Sequence, residues 1–182
     1  MRQAAKKASI RRSPVVVRAA PGDRTKAILQ LGPLRVRAAL GRSGITSLKR
    51  EGDGATPRGS MPILSGYRRG ERPSALPSPL ALTRIRASML WCDDPRHPAY
   101  NRPVSAPFSA GHEKLQRADQ LYDVCIVLDW NISQRRRGLG SAIFFHIAKP
   151  GYLPTEGCVA VSPRDMARLL PHLGPGTPVI VR

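Results

Sequence analysis

The chain has 182 residues, of which 41% are hydrophobic, so it is long and apolar enough for a single domain with one core. No apolar run reaches 18 residues, so no membrane-spanning helix is expected. The formal net charge of +18 favours a polyanionic partner, but the Arg and Lys residues are scattered and no nucleic-acid fold signature accompanies them. We therefore expect no specific nucleic-acid binding, and contact with an anionic cell envelope explains the charge equally well.

The N-terminal half is predicted to form short strands joined by turns. Residues 1–13 carry charge without a periodic apolar pattern and are expected to be a disordered basic tail, with the folded domain at residues 14–182. Strands are expected at residues 15–20, 26–31, 34–40 and 61–67, the second and third of them joined at Gly32-Pro33. Residues 41–60 have the composition of a loop, and residues 68–87 that of a surface excursion without core residues.

The C-terminal half combines buried strands with one helix. Residues 124–130 and 142–148 are apolar runs typical of buried strands, and residues 177–181 predict a last strand. Ser162 followed by Pro163 predicts a helix that begins there and runs to about His172. Its apolar face consists of Met166, Leu169, Leu170 and Leu173. With 18 Pro and 16 Gly the chain favours many short strands, so a mainly β fold is expected.

A histidine and a cysteine near the C-terminus suggest chemistry. Cys158 follows His146 by twelve positions. A histidine that takes the proton of a thiol produces a sulfur nucleophile, which is the minimum equipment for thiol acyl transfer. The segment between them is broken by Pro150, Gly151 and Pro154, which predicts two strands joined by a loop. Adjacent strands place both side chains on one wall, with a ring nitrogen within roughly 5 Å of the sulfur.

The three cysteines are an odd number, so at least one stays unpaired within the chain. The unpaired thiol is assigned to Cys158. Cys125 lies in an apolar run and is expected to be a small core residue. Cys92 lies in a turn-like stretch with His97 nearby, but no CxxC pair supports a metal site there. We expect neither a metal nor another cofactor.

Several separated motifs resemble those of one protein family. They are Phe145-His146, Thr155-Glu156-Gly157-Cys158 and the run KREGDGATPRG at residues 49–59. Together they resemble the catalytic domain of the L,D-transpeptidases, the YkuD family, whose usual signature is Ser/Thr-His-Gly-Cys followed by a hydrophobic residue and Asn or Arg. Glu156 and Ala160 depart from that signature. With WCDDP at residues 91–95, YNR at 100–102 and LYD at 121–123, these departures resemble a bacterial branch in which Thr-Glu-Gly-Cys is the normal form.

The resemblance implies a β-sandwich of short mixed strands and an enzyme of cell wall biogenesis that works on peptidoglycan stem peptides. Cys158 would attack the carbonyl of diaminopimelate, the third residue of a tetrapeptide stem, and expel the terminal D-Ala, with His146 as the base. An amine of a second stem then converts the thioester into a cross-link. If water does so instead, the protein is an L,D-carboxypeptidase. A basic envelope or nucleic-acid binding protein that keeps the fold without turnover is the contrasting alternative.

Further residues near the motifs receive roles in the site. A backbone N–H beside the cysteine, at Gly157, can serve as an oxyanion donor, because glycine lets the chain approach closely. Glu156 either binds the amine of diaminopimelate or caps a turn, and His112 either lies near the active site or caps a surface turn. Arg42 and Lys49 could hold a substrate carboxylate, but they are expected to be ordinary solvated charges. The family's loop element is expected to lie beneath the site, and its matching residues are Gly52, Asp53, Gly54, Thr56 and Pro57.

Two expectations concern reactivity and location. An activated Cys158 is expected to be alkylated well below pH 8, whereas a buried structural cysteine should resist alkylation. The substrate implied by the resemblance places the protein in the periplasm or cell envelope. Residues 1–18 nevertheless hold only the apolar run Val15-Val16-Val17, which is too short for the core of a signal peptide.

Overall fold

The structure, a computed structural model, describes residues 13–70 and 77–182 and is mainly β, as predicted. These ranges hold one α-helix, α1 (Pro163–Leu169). The predicted tail lies outside the described residues except for Ser13. The strands are β1 (Val15–Ala20), β2 (Asp23–Leu31), β3 (Leu34–Ala39), β4 (Ile45–Thr46), β5 (Thr56–Pro57), β6 (Gly59–Arg69), β7 (Leu82–Ile85), β8 (Met89–Cys92), β9 (Arg102–Ser105), β10 (His112–Lys114), β11 (Val124–Leu128), β12 (Phe144–Ile147), β13 (Val159–Val161) and β14 (Pro178–Val181).

Eight of the strands form a closed ring. Their order is β11-β12-β13-β3-β2-β1-β14-β6, and a second pairing of β6 with β11 closes the ring. Strand β6 can do this because it is 11 residues long, and its start pairs with β14 while its later part pairs with β11. The β1/β14 and β12/β13 pairs are parallel and most of the others are antiparallel, so the sheet is mixed.

Alternate residues of the ring strands point inward and build the main core. In β1, Val15 and Val17 are fully buried, and in β2 the same holds for Leu29 and Leu31. This period of two follows from strand geometry, in which successive side chains point to opposite faces of the sheet. Removing this much apolar surface from water is the main favourable contribution to the stability of the fold.

Helix α1 contributes its apolar face to the same core. The Ser162 Oγ accepts a hydrogen bond from the Asp165 N–H at 3.1 Å, which caps the helix as the sequence predicted. After α1 the chain tightens into a 3-10 turn, Leu170–His172, so the predicted end near His172 is confirmed. The predicted apolar face is also confirmed, since all four members belong to the core: Met166, Leu169, Leu170 and Leu173.

A second apolar cluster covers the outer face of β11 and β12. A three-stranded sheet of order β10-β8-β9 supplies part of it. Cys125 is fully buried in this cluster, as predicted, and Cys92 is fully buried in β8 rather than in a turn. The cluster consists of Ile85, Trp91, Leu115, Leu121, Tyr122, Cys125, Val127, Ile132, Phe144 and Cys158. The outer face of β11 and β12 is therefore shielded from water.

The prediction for residues 68–87 is wrong for the part that the structure describes, residues 68–70 and 77–87. Leu80 and Ile85 are buried, and β7 pairs in parallel with the end of β6. Gly66 makes room for this excursion, because a Cβ there would lie 2.4 Å from the Leu82 Cδ2 and 2.9 Å from the Leu80 Cδ2. Such a long-range fit leaves no periodic signal in the local sequence. The predicted loop at residues 41–60 also holds the short parallel pair β4 and β5. None of the described helices has the length and apolar character needed to cross a bilayer.

Candidate active site

His146 and Cys158 lie on the same face of the ring. In the parallel β12/β13 pair, Phe145 is opposite Val159, and both belong to the main core. Because side chains alternate along a strand, the neighbours His146 and Cys158 point to the outer face. Both line one cavity of about 390 Å³. The structure thus brings the predicted pair together on one wall.

The cavity walls come from four parts of the chain. These parts are the loop at residues 49–52, Asp93 after β8, residues 113–122 from β10 onward, and residues 141–158. The lining residues are Lys49, Glu51, Gly52, Asp93, Glu113, Arg117, Leu121, Tyr122, Ser141, Ala142, His146, Lys149, Leu153, Pro154, Thr155, Glu156 and Cys158.

The surroundings of Cys158 favour the protonated thiol. Its Sγ donates to the Ala142 carbonyl and accepts from the Phe144 N–H, both at 3.3 Å, and the residue is 8% exposed. Burial raises the pKa of the thiol to about 12, and the Glu113 carboxylate acts in the same direction. The Phe144 N–H and the charge of Lys49 oppose these effects without outweighing them.

His146 is held in the tautomer that a general base needs. Its Nδ1 bonds to the Ile147 carbonyl at 2.8 Å, and since a carbonyl only accepts, Nδ1 carries the hydrogen and Nε2 is left as the basic nitrogen. The Tyr122 ring meets the imidazole edge-on at 5.3 Å between centroids. Burial lowers the pKa of His146 to about 4. The resting pair is therefore a neutral thiol and a neutral imidazole.

The raised pKa of the buried Cys158 thiol leads to a different expectation for the free protein than alkylation well below pH 8. With the pKa of Cys158 raised to about 12, we expect modification of the free enzyme by iodoacetamide to rise with pH from about 9 upwards. Peptide mapping of alkylated protein across pH 6 to 10 measures this. A plateau reached below pH 8 at Cys158 would contradict the neutral resting pair.

His146 also makes folding stability depend on pH. The pKa in the unfolded chain is near 6.5 and in the folded protein about 4, so the unfolded state binds the proton first as pH falls. The contribution of neutral His146 is fully present above pH 6.5 and is lost towards pH 4, in total roughly 3 kcal/mol. We expect the free energy of unfolding of the wild type to lose this amount relative to His146→Gln between these pH values, measured by urea denaturation. Parallel curves for the two proteins would contradict it.

A buried asparagine fixes the backbone that faces the thiol. The Asn101 Oδ1 accepts from the Ala142 N–H at 3.1 Å and from the Trp91 Nε1 at 3.0 Å, while its Nδ2 donates to the Trp130 carbonyl. Ala142 has a φ of 51°, which is unfavourable for alanine and needs such support. Trp91 and Asn101, from the segments 91–95 and 100–102, thus support the backbone that faces the thiol. The sequence alone did not predict this role.

The loop at residues 49–57 is built around Asp53. Its carboxylate accepts from the Lys49 Nζ, from the Arg50 N–H at 2.8 Å and from the Ala55 N–H at 2.8 Å. These contacts lower the pKa of Asp53 even though burial opposes them. Thr56 is fully buried and its Oγ1 accepts from the Gly41 N–H at 2.8 Å. Gly52 and Gly54 have φ values of 71° and 65°, and Pro57 ends β5.

This loop packs directly against the cysteine motif. Arg42, which precedes the loop, also contacts the motif, because its N–H donates to the Thr155 carbonyl at 2.9 Å. Gly157 has a φ of 135°, and a Cβ there would lie 2.8 Å from the Ala55 carbonyl oxygen. The Gly157 N–H, one expected oxyanion donor, bonds to the Thr155 Oγ1 at 3.2 Å in the resting state. The Ala55 part of the loop therefore contacts the cysteine motif at Gly157.

Comparison with known proteins identifies the family. The sequence matches the profile of YkuD, the L,D-transpeptidase catalytic domain, over residues 22–181. The chain belongs to the YkuD family. No curated protein matches it.

Three solved structures resemble this YkuD domain. They are an L,D-transpeptidase from Mycobacterium smegmatis and L,D-transpeptidase 1 from Mycobacterium tuberculosis, both at 14% identity and a TM-score of 0.41, and L,D-transpeptidase 3 from Mycobacterium tuberculosis, at 15% identity and 0.42. In each case 93% of the present chain is covered. It spans 59% to 61% of the length of those chains.

Two expected site residues of the YkuD domain, Glu156 and His112, contact groups other than His146 and Cys158. The exposed Glu156 lies at the cavity rim and pairs with the Arg42 Nε at 2.8 Å. His112 packs against Phe108 at 5.9 Å between centroids and is not among the cavity-lining residues. Its Nδ1 bonds to the Ala110 carbonyl at 2.7 Å. In the part of the chain that the structure describes, no group of three or more His, Cys, Asp or Glu could hold a metal ion.

Several residues that line the cavity were not predicted from the sequence as site residues. Lys49 is 5% exposed and pairs with Asp53, so the expectation of a solvated charge is wrong for it. In the same cavity the Tyr122 hydroxyl donates to the Glu113 Oε1 at 2.6 Å, and the Arg117 guanidinium lies 3.4 Å from the same oxygen. Tyr122 belongs to the segment 121–123, which was one of the motifs behind the resemblance. No local pattern in the sequence marks Glu113 or Arg117.

Proposed function

We propose that the protein is a peptidoglycan L,D-transpeptidase that acts through a thioester on Cys158. Membership of the YkuD family supports the reaction class. The observation that carries the proposal is the placement of His146 and Cys158 in one cavity, with the His146 Nδ1 tied to the Ile147 carbonyl. A base with one nitrogen fixed and the other available is suited to accept and return a proton.

The first half-reaction follows from the neutral resting pair. As the Cys158 sulfur attacks the carbonyl carbon of the third stem residue, its proton passes to the His146 Nε2. The charge that develops on the substrate oxygen requires N–H donors near the cysteine, and Gly157 can supply one once its bond to Thr155 opens. His146 then returns the proton to the nitrogen of the terminal D-Ala. That residue leaves as a free amine, and the acyl group remains on sulfur.

The second half-reaction uses the same groups in reverse order. An amine of a second stem attacks the thioester carbonyl and gives a proton to the His146 Nε2. The carbon–sulfur bond breaks, and Cys158 regains its proton from His146. The product is a cross-link between two stems. Such a substrate places the protein at the cell envelope, where a net charge of +18 also favours contact with anionic polymers.

Mass spectrometry of disaccharide tetrapeptides incubated with the protein tests this function. We expect loss of the terminal D-Ala and the appearance of cross-linked dimers, both absent with Cys158→Ala. Tripeptide products without dimers would identify an L,D-carboxypeptidase. Folded wild-type protein that binds peptidoglycan but changes none of it would overturn the enzymatic proposal.

A further inference from the structure

Two carboxylates in the active-site cavity have no cationic partner. Glu51 and Asp93 both line the cavity, and neither takes part in any ion pair among the described residues. The other two cavity carboxylates, Glu113 and Glu156, do have such partners. The absence of a cation is unexpected in a chain with 30 Lys and Arg residues against 12 Asp and Glu. A cationic ligand would balance these two negative charges.

The two carboxylates are held in place from behind. The Tyr100 hydroxyl donates to the Glu51 Oε2, and the Glu51 N–H donates to the Gly138 carbonyl at 2.9 Å. The Asp93 N–H donates to the Gly111 carbonyl at 3.1 Å, and a Cβ at Gly111 would lie 2.8 Å from the Asp93 Oδ1. Burial and the charge of Glu51 raise the pKa of Asp93, more than the nearby His112 lowers it. A bound cation would relieve this repulsion.

A buried hydroxyl provides independent support for a ligand at this place. Ser141 is 7% exposed and lines the same cavity, and among the described residues its Oγ has no hydrogen bond of normal geometry. The Tyr100 hydroxyl is close enough to interact with it. A buried polar atom without a partner costs free energy, so a ligand donor that reaches it is favoured. The carbonyl of the next residue, Ala142, accepts a hydrogen bond from the Cys158 thiol. Ser141 is therefore adjacent in sequence to a residue that contacts the reacting sulfur.

We propose that Glu51, Asp93 and Ser141 form a subsite for the primary ammonium group on the side chain of the donor stem's third residue. This proposal rests on the proposed function. A primary ammonium has three N–H donors, which match two carboxylates and one hydroxyl. A metal ion fits less well, since the described residues offer no cluster of three metal-binding side chains. Glu156 is a poorer receptor for this ammonium because Arg42 already engages it at the exposed rim.

Binding to inactive protein tests the subsite without requiring turnover. In the Cys158→Ala background, calorimetry compares a disaccharide tetrapeptide with the same compound acetylated at the side-chain amine of its third residue. The acetylated form lacks the ammonium charge. We expect acetylation to weaken binding by roughly 10-fold or more, as for a lost charge-assisted hydrogen bond. We expect Glu51→Gln/Asp93→Asn to bind both forms equally. Asp94→Asn, a neighbouring carboxylate outside the cavity, should discriminate like the parent.

Acylation separates failure of the subsite from failure of the enzyme. A penem without an amine should modify Cys158 equally in the wild type and in Asp94→Asn, and circular dichroism should show that the Glu51→Gln/Asp93→Asn variant is folded. Absence of a wild-type adduct would overturn the proposed function. Normal acylation with equal binding of free and acetylated stems to the parent would overturn the subsite alone. Ser141→Ala, a smaller change, should reduce the discrimination by about threefold to 10-fold. Loss of cross-linking with unchanged donor binding would assign the ammonium to the acceptor stem and contradict the proposal.

Discussion

Cys158→Ala is expected to abolish both D-Ala release and cross-linking. The sulfur forms the covalent intermediate, and alanine offers no atom to replace it, so no residual turnover above the uncatalysed rate is expected. The fold should persist, because the change removes one buried atom whose two hydrogen bonds go to backbone groups. Chromatographic assay of released D-Ala measures the loss.

Cys92→Ala is the matched control. It makes the same chemical change at a fully buried cysteine that does not line the cavity. We expect it to lower the free energy of unfolding by about 1 to 3 kcal/mol and to leave the rate of D-Ala release within about twofold of wild type. Loss of activity in folded Cys92→Ala protein, or retained activity in Cys158→Ala, would contradict the assignment of the nucleophile.

Gly157→Ala should damage both stability and activity. The residue has a φ of 135°, and its new Cβ would lie 2.8 Å from the Ala55 carbonyl oxygen and 3.3 Å from the Ile143 Cδ1. A backbone carbonyl cannot swing away as a flexible side chain does, so the strand carrying Cys158 must move. We expect a loss of roughly 3 kcal/mol or more in the free energy of unfolding and at least a 10-fold slower acylation of Cys158.

Gly151→Ala separates the clash from the backbone strain. Gly151 also has a positive φ, 71°, but nothing lies within 4 Å of a Cβ built there. Its replacement should cost only about 1 kcal/mol and leave acylation unchanged. Urea denaturation and acylation kinetics on the two variants give the comparison. Equal losses in both would show that the contact with the Ala55 loop has no special importance.

The sequence contained enough information for the ring strands, the helix and the pairing of His146 with Cys158. Their signals are local: apolar runs, a capping Ser162 before Pro163, and a loop broken by prolines between two strands. These features depend on residues within a few positions of one another. The catalytic roles of the pair stay predictions, although their shared wall is now observed.

The remaining features depend on contacts between distant segments. Strand β7 is buried because Gly66 leaves space for Leu80 and Leu82, and Lys49 is buried because the loop folds Asp53 onto it. The protonation states of the site also could not be predicted. Burial by the second apolar cluster, which no single motif encodes, holds the pKa of Cys158 up and that of His146 down.

The rate of Cys158 acylation by an amine-free penem, followed by intact-protein mass spectrometry in wild type and His146→Gln, tests the central claim most directly. If the thiol is neutral at rest and His146 removes its proton during attack, the wild type gains one adduct on Cys158 and His146→Gln reacts at least about 100-fold more slowly. Equal rates in the two proteins, or an adduct on another residue, would contradict the account.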